Sequence, residues 1–166
     1  AKNYYKEQRL DSDEGIHNGL SYFEGRGFSK ETIDKFDLGY SPKEWDAFTK
    51  DALSKGYKLS YLDETGLTII KEEGKKQYDR FRNRVLFPIH NLSGKVIGFG
   101  GRILTDEKNQ PKYVNSPETE VYHKSNILYG IYQAKTAIRK EENCFLVEGY
   151  TDVVSLHQGG VENVVA

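Results

Sequence analysis

The run Phe145-Leu146-Val147-Glu148-Gly149-Tyr150-Thr151-Asp152 carries the sharpest chemical signal in the chain. Read as an apolar strand, it delivers the Glu148 carboxylate at its carboxyl end, just before a glycine turn and a helix. That edge is where open α/β sheets bind ligands. Gly149 lets the backbone bend closely past whatever Glu148 holds, and Asp152 either caps the following helix or faces the same site. The plainer reading leaves Glu148 as a solvent-facing loop residue and Asp152 as an N-cap only.

Three further constellations stand upstream. In Tyr78-Asp79-Arg80-Phe81-Arg82-Asn83-Arg84 three arginines recur at every second position. If extended, Arg80, Arg82 and Arg84 share one face at a spacing of about 6.6 Å, which suits successive phosphates of a single strand, with Phe81 or Tyr78 as a stacking ring. A solvated charged face with Asp79 as ion-pair partner is the alternative. In Val96-Ile97-Gly98-Phe99-Gly100-Gly101-Arg102 the glycines strip one strand face beside the Arg102 guanidinium, so a polymer or nucleotide backbone could approach; a tightly packed structural strand is the stronger reading. It is not a Walker loop, because no Gly-Lys-Ser/Thr follows. Finally, Ser116-Pro117 reads as the start of a short helix, with Asn115 at its entrance and Lys112 and Lys124 beside it. A helix N-terminus, two ammonium groups and an amide make a plausible triphosphate pocket.

These groups need scaffolding, and the chain supplies it in three styles. The first third is helical: Ser12 or Asp11 caps a segment carrying Ile16, Leu20 and Phe23, and Ser29 caps a second helix with Phe28 and Ile33 as its staple. Ser41-Pro42-Lys43-Glu44 spells a capping box for a third, with Trp45, Phe48 and Leu53 on its apolar face. A short helix spans residues 61–65. The middle reads as an antiparallel meander of strands at 67–71, 84–90 and 95–104, with a turn at Glu73-Gly74. Val85, Phe87 and Ile89 face one way, and Pro88 marks an edge or irregularity. The last third alternates helix 126–140, a buried strand 144–147, helix 152–158 and a strand 161–166, the opening of a βαβ unit with a parallel sheet. The fold class is therefore an α+β amino-terminal lobe, residues 1–140, followed by the first part of an α/β domain, residues 141–166.

Composition narrows the chemistry. The 166 residues are 37% hydrophobic, 30% charged and 13% aromatic, too rich in apolar and ring surface for a disordered chain. Lys plus Arg number 24 and Asp plus Glu 25, so net charge announces no polyanionic partner and local clustering must carry that case. A single Cys and four scattered His exclude an internal disulfide and a cysteine-rich zinc site in this segment, so any metal must be held by carboxylates. No apolar run reaches the length that spans a bilayer and no secretory signal opens the chain, pointing to a soluble, cytoplasmic protein. The absence of methionine and the ending in Val-Val-Ala, mid-strand, read as a piece of a longer polypeptide.

Taken in order, the segments 78–89, 96–102, 111–119 and 148–152 resemble the catalytic core of the bacterial replicative DNA primases, over nearly the whole chain. The resemblance implies an amino-terminal lobe joined to a Toprim α/β lobe, with single-stranded DNA template and ribonucleoside triphosphates held at their junction. It implies that Glu148 is the Toprim glutamate that, with aspartates further along, binds Mg²⁺ or Mn²⁺ for nucleotidyl transfer, Asp152 being a weaker metal candidate. It places Lys112, Asn115, Lys124 and Tyr150 at nucleotide-contacting positions, and Arg26, Arg80, Arg82, Arg84 and Arg102 on the template-binding surface. Trp45 falls on a family tryptophan near that groove, or packs in the core. The helicase partner would bind through a module absent from this chain. Since hard cations need several oxygens, the chain alone is expected to be inactive. The rival readings are a non-catalytic single-strand-binding module and part of another Toprim enzyme.

Overall fold

The computed structural model describes residues 1–71, 76–105 and 110–166. Helix α1 (Lys2–Asp11) lies ahead of the segment capped by Ser12, whose Oγ accepts from the Gly15 amide at 2.9 Å. That segment runs through a π-helical stretch (Gly15–Leu20) into α2 (Ser21–Gly25). Ser29 caps α3 (Lys30–Lys35) as its type and position require, its hydroxyl accepting from the Thr32 amide at 3.2 Å.

The capping box does not form. Ser41 is buried at the end of β1 (Gly39–Ser41), where it pairs with Arg84 on a later strand. Helix α4 starts later, at Ala47–Ser54, and its amino end is capped from a distance. The carboxylate of Asp79 accepts from the Phe48 amide at 2.7 Å, the Thr49 amide at 3.0 Å and the Thr49 hydroxyl at 2.6 Å. Helix α5 (Leu59–Glu64) follows.

The single expected meander divides into two sheets. Among the described residues, strands β2 (Thr68–Lys71) and β3 (Lys76–Asp79) pair only with each other; the turn expected at Glu73-Gly74 lies outside the described residues. Strands β4 (Arg84–His90), β5 (Val96–Ile103) and β6 (Tyr113–Asn115) join β1 in the order β1-β4-β5-β6, all antiparallel. The interruption is at Asn83, whose φ of 52° turns the chain out of extended geometry between β3 and β4. Pro88 is tolerated because the pairing with β1 stops at Leu86, and the register with β5 shifts at Ile89/His90.

Both faces of the four-stranded sheet are buried. Val85, Phe87 and Ile89 share one core with Phe23, Ile33 and Phe36, whereas Leu86 joins Tyr5, Phe48 and Phe81 in the other. Alternation along β4 thus serves two cores, with every one of its residues buried.

The carboxyl-terminal third has the expected order with shifted bounds. A 3₁₀ turn (Lys124–Asn126) precedes α6 (Ile131–Glu141), which begins only after Gly130 at φ 84°. Strand β7 (Phe145–Leu146) pairs in parallel with β8 (Val164–Val165) across α7 (Tyr150–Gln158). Far from being buried, Phe145 and Leu146 are 55% and 72% exposed, and among the described residues β7 has a partner strand on one edge only. Tyr129 exchanges two backbone hydrogen bonds with Ala166, tying this unit to the stretch before α6. No helix among the described residues is long and apolar enough to cross a membrane.

Candidate functional site

A cleft of about 620 Å³ opens where the β7–α7 turn meets β6 and the 3₁₀ turn. Its lining brings together Asn115, Lys124, Glu148, Tyr150 and Asp152. Glu148 sits where the sequence puts it, exposed between β7 and α7, and Asp152 occupies the first turn of α7, also exposed. Its Oδ2 lies close above Gly149, 3.1 Å from where a β-carbon would stand. Two carboxylates at one turn are hard oxygen donors of the type Mg²⁺ and Mn²⁺ take, but they supply only part of the shell. Among the described residues no group of three or more His, Cys, Asp or Glu converges.

The helix expected at Ser116-Pro117 is not there. Ser116 continues the β5 pairing instead, donating its amide to Phe99 O at 2.8 Å and accepting the Phe99 amide on Oγ at 3.0 Å. The loop carrying Lys124 is shaped by Glu118, whose carboxylate accepts from the Lys124 amide at 3.0 Å and meets His123 Nδ1 at 3.1 Å. The Lys124 amide holds the Glu118 carboxyl below the usual carboxylate range. Lys112 is exposed and does not line this cleft; its carbonyl accepts from Ile103 N and Arg84 Nη1.

The glycine-stripped face of β5 is filled by the protein's own rings. A β-carbon on Gly98 would stand 3.2 Å from the Tyr122 ring, and one on Gly100 2.3 Å from the ring of Tyr150. No polymer backbone has room there. The glycines serve close packing between the sheet and the cleft.

The arginine ladder also resolves differently. Arg84 is 3% exposed, and its guanidinium donates to the carbonyls of Gly101, Lys112 and Pro111. Arg80 is half-buried and its Nε donates to Gly66 O. Arg82 lies over Trp45, with Cζ 3.6 Å from the ring centroid, and 5.6 Å from that of Tyr78, beside Lys71. The turn at Asn83 separates these side chains, so the three do not share a face. Trp45 is 56% exposed, so it forms surface rather than core.

Arg26 and Arg102 do come together. Arg102 stands opposite Tyr113 in the β5–β6 register, on the sheet face that carries Asn115 toward Tyr150. Its Cζ is 4.8 Å from the centre of the Tyr22 ring, and Arg26 Cζ is 5.2 Å from the same centre. Tyr22 does not stand out in the sequence, although its i, i+4 spacing to Arg26 on a helix is a usable signal. Tyr113 and Glu118 escape a sequence reading as well, and nothing local marks either.

An antiparallel sheet packed among helices and followed by a parallel β7–α7–β8 unit, with carboxylates at the βα turn and Arg102 on the adjoining sheet face, is a mixed α and β architecture that can be set beside known proteins. Residues 4–135 match the family described as DNA primase catalytic core, N-terminal domain. The chain belongs to this family of DNA primases. It is 49% identical over 148 residues to a DNA primase of Halalkalibacterium halodurans, covering 89% of this chain and 24% of that protein. A DNA primase of Geobacillus stearothermophilus is 42% identical over 165 residues, covering 99% of this chain and 27% of that protein. The chain thus spans about a quarter of the length of these curated relatives. Among solved structures, the RNA polymerase domain of Mycobacterium tuberculosis primase DnaG, in complex with a double-stranded DNA oligomer bearing an overhang, superposes with a TM-score of 0.91 at 40% identity, covering 99% of this chain and 50% of that one. A DnaG primase catalytic domain bound to ssDNA gives 0.88 at 39% identity, again covering 99% of this chain and 50% of that one.

Proposed function

We propose that this chain forms the amino-terminal part of a primase catalytic core, which makes short RNA primers on single-stranded DNA in the bacterial cytoplasm by transferring ribonucleotides. The observation that carries this reading is the cleft itself: Glu148, Asp152, Asn115 and Lys124 line it, Arg102 stands on the adjoining sheet face, and Arg26, at the end of α2, meets the same Tyr22 ring as Arg102. In the reaction a primer 3′-hydroxyl gives up its proton to solvent as its oxygen bonds to the α-phosphorus of a ribonucleoside triphosphate, the bond from that phosphorus to the bridging oxygen breaks, and pyrophosphate leaves. Lys124 and Asn115 would hold the triphosphate as charge and hydrogen-bond donors. Glu148, with Asp152, would hold Mg²⁺ or Mn²⁺, which when bound stabilises charge on the attacking and leaving oxygens. The rest of that oxygen shell is assigned to aspartates of a Toprim lobe that begins near residue 141.

Template contacts are assigned to Arg26, Arg82 and Arg102 directly, with Arg80 at their margin and Arg84 supporting from within. Lys112, outside the cleft lining, is assigned a longer-range electrostatic role toward the triphosphate. A replicative helicase would bind through a part of the protein beyond this chain.

Primer synthesis by the full-length protein on a single-stranded template, compared with its Glu148→Gln variant, tests the reading. Loss of synthesis with retained DNA binding is expected. DNA binding without any synthesis by the wild-type protein would leave only a single-strand-binding module, synthesis unaffected by Glu148→Gln would remove Glu148 from the metal site, and synthesis by the isolated chain with Mg²⁺ would refute the shared metal shell.

A further inference from the structure

Resting on the primase reading, we infer that Tyr150 is a positioning residue: its hydroxyl turns the Asn115 amide so that only N–H donors face the nucleotide, and its ring, slotted over Gly100, fixes the Glu148 turn against the sheet. The family resemblance assigns Tyr150 to the nucleotide itself, but its polar atom is already engaged. Tyr150 Oη donates to Asn115 Oδ1 at 2.9 Å. The ring stacks on Phe87 at 5.4 Å and 17° and meets Tyr129 edge-on at 4.7 Å.

The consequence for Asn115 follows from its inventory of groups. An asparagine offers one acceptor oxygen and two N–H donors. With Oδ1 facing the tyrosine, the NH₂ group is what the cleft sees, and it suits an acceptor-only partner such as a phosphate oxygen. Without the Tyr150 hydroxyl the amide can flip, presenting an oxygen that repels the same phosphate.

The slot is part of the device. Gly100 pairs with Asn115 across β5–β6, so the residue that accepts the ring and the residue that accepts the hydroxyl lie side by side. A β-carbon at Gly100 would lie 2.3 Å from Tyr150 Cε2, which no rotamer adjustment of that packed ring absorbs. Tyr150 immediately follows Gly149 and opens α7, so the ring that seats in the sheet also sets where Glu148 stands.

The experiment is primer synthesis and nucleotide binding by full-length primase carrying Tyr150→Phe, Asn115→Ala, both, or Gly100→Ala, each checked for native thermal unfolding. Tyr150→Phe should raise the nucleotide KM about 10–100-fold, the worth of one charge-assisted hydrogen bond, with kcat within about twofold. Asn115→Ala should raise KM at least as much, and the double variant no more than Asn115→Ala alone. Gly100→Ala, which displaces the ring, should lower kcat as well. A silent Tyr150→Phe, or two single effects that multiply in the double variant, overturns the inference, the latter because Tyr150 would then act on the nucleotide independently of Asn115. Wild-type synthesis and the Glu148→Gln control separate the two claims. If the wild-type protein makes no primer the primase reading fails, whereas if it makes primer, Glu148→Gln abolishes this and Tyr150→Phe is silent, only the positioning role fails.

Discussion

Arg82 lays its guanidinium 3.6 Å from the centre of the Trp45 ring, and Tyr78 leans on the same indole with ring centroids 5.4 Å apart. The result is an exposed cationic and aromatic platform of the sort on which single-stranded bases stack. Trp45 is the only tryptophan in the chain, so its emission reports this surface alone. Adding an oligodeoxythymidylate should change that emission. Trp45→Ala should weaken single-strand binding about tenfold, within the range of one lost base–aromatic stack. Emission and affinity both indifferent to this surface would remove it from the template path.

Arg84 should behave oppositely from its neighbour. With its guanidinium committed to three main-chain carbonyls inside the fold, Arg84→Ala leaves those acceptors buried and opens space, a loss of about 2–4 kcal/mol in urea unfolding. Arg82→Ala should cost stability little but reduce the salt dependence of DNA binding, by about 0.7 in slope for each phosphate that Arg82 neutralises. Equal salt slopes for wild type and Arg82→Ala, with a reduced slope for Arg84→Ala, would reverse the assignment.

The contrast between these arginines shows what the sequence could convey. Alternation told which residues of β4 share a face, because that periodicity is a backbone property. It could not tell that Asn83 adopts φ 52°, which breaks the even spacing of the arginines. Ser29 was readable as a cap because its acceptor and donor lie three residues apart. The Ser41 capping box failed because β-pairing with Arg84 claimed the serine and a carboxylate from β3 took over the helix end. In the candidate site, Glu148 and Asp152 were legible from a local strand–glycine–helix pattern. The Gly100–Tyr150 slot and the Tyr22 clamp were not, since each joins positions far apart in the chain.

That distant cap yields its own prediction. Asp79 is 1% exposed and satisfies two amides at the start of α4 together with the Thr49 hydroxyl, which in turn meets Thr68 Oγ1 at 2.7 Å. Asp79→Ala removes all three acceptor bonds and should cost about 3 kcal/mol in denaturant unfolding, more than an exposed cap would. Asp79→Asn keeps one acceptor oxygen and should lose less. If the alanine variant unfolds at the wild-type denaturant concentration, α4 draws no stability from β3.

Acid sensitivity should trace largely to Asp37. Burial alone would raise its carboxyl, but hydrogen bonds from His90 Nε2 at 3.1 Å and Lys2 Nζ at 3.2 Å outweigh burial and hold it below the usual carboxylate range. His90 is itself buried, with Gln133 Nε2 3.4 Å from its other ring nitrogen, so the pair links α1 and the turn after α3 to α6. Because the folded carboxyl is depressed, its stabilisation is fully present above the unfolded value of about 3.9 and is lost as pH falls through the folded value. Asp34, held down despite its own desolvation by Arg9 and Lys6, contributes in the same direction. Asp37→Asn removes the charge while tolerating the φ of 52° at this position, which asparagine adopts readily. It should cost about 1–3 kcal/mol at pH 7, and should flatten the decline of the urea midpoint between about pH 5 and pH 2 by Asp37's share, leaving that of Asp34. If the midpoints of wild type and variant fall in parallel over that range, the Asp37–His90 contact does not govern acid unfolding.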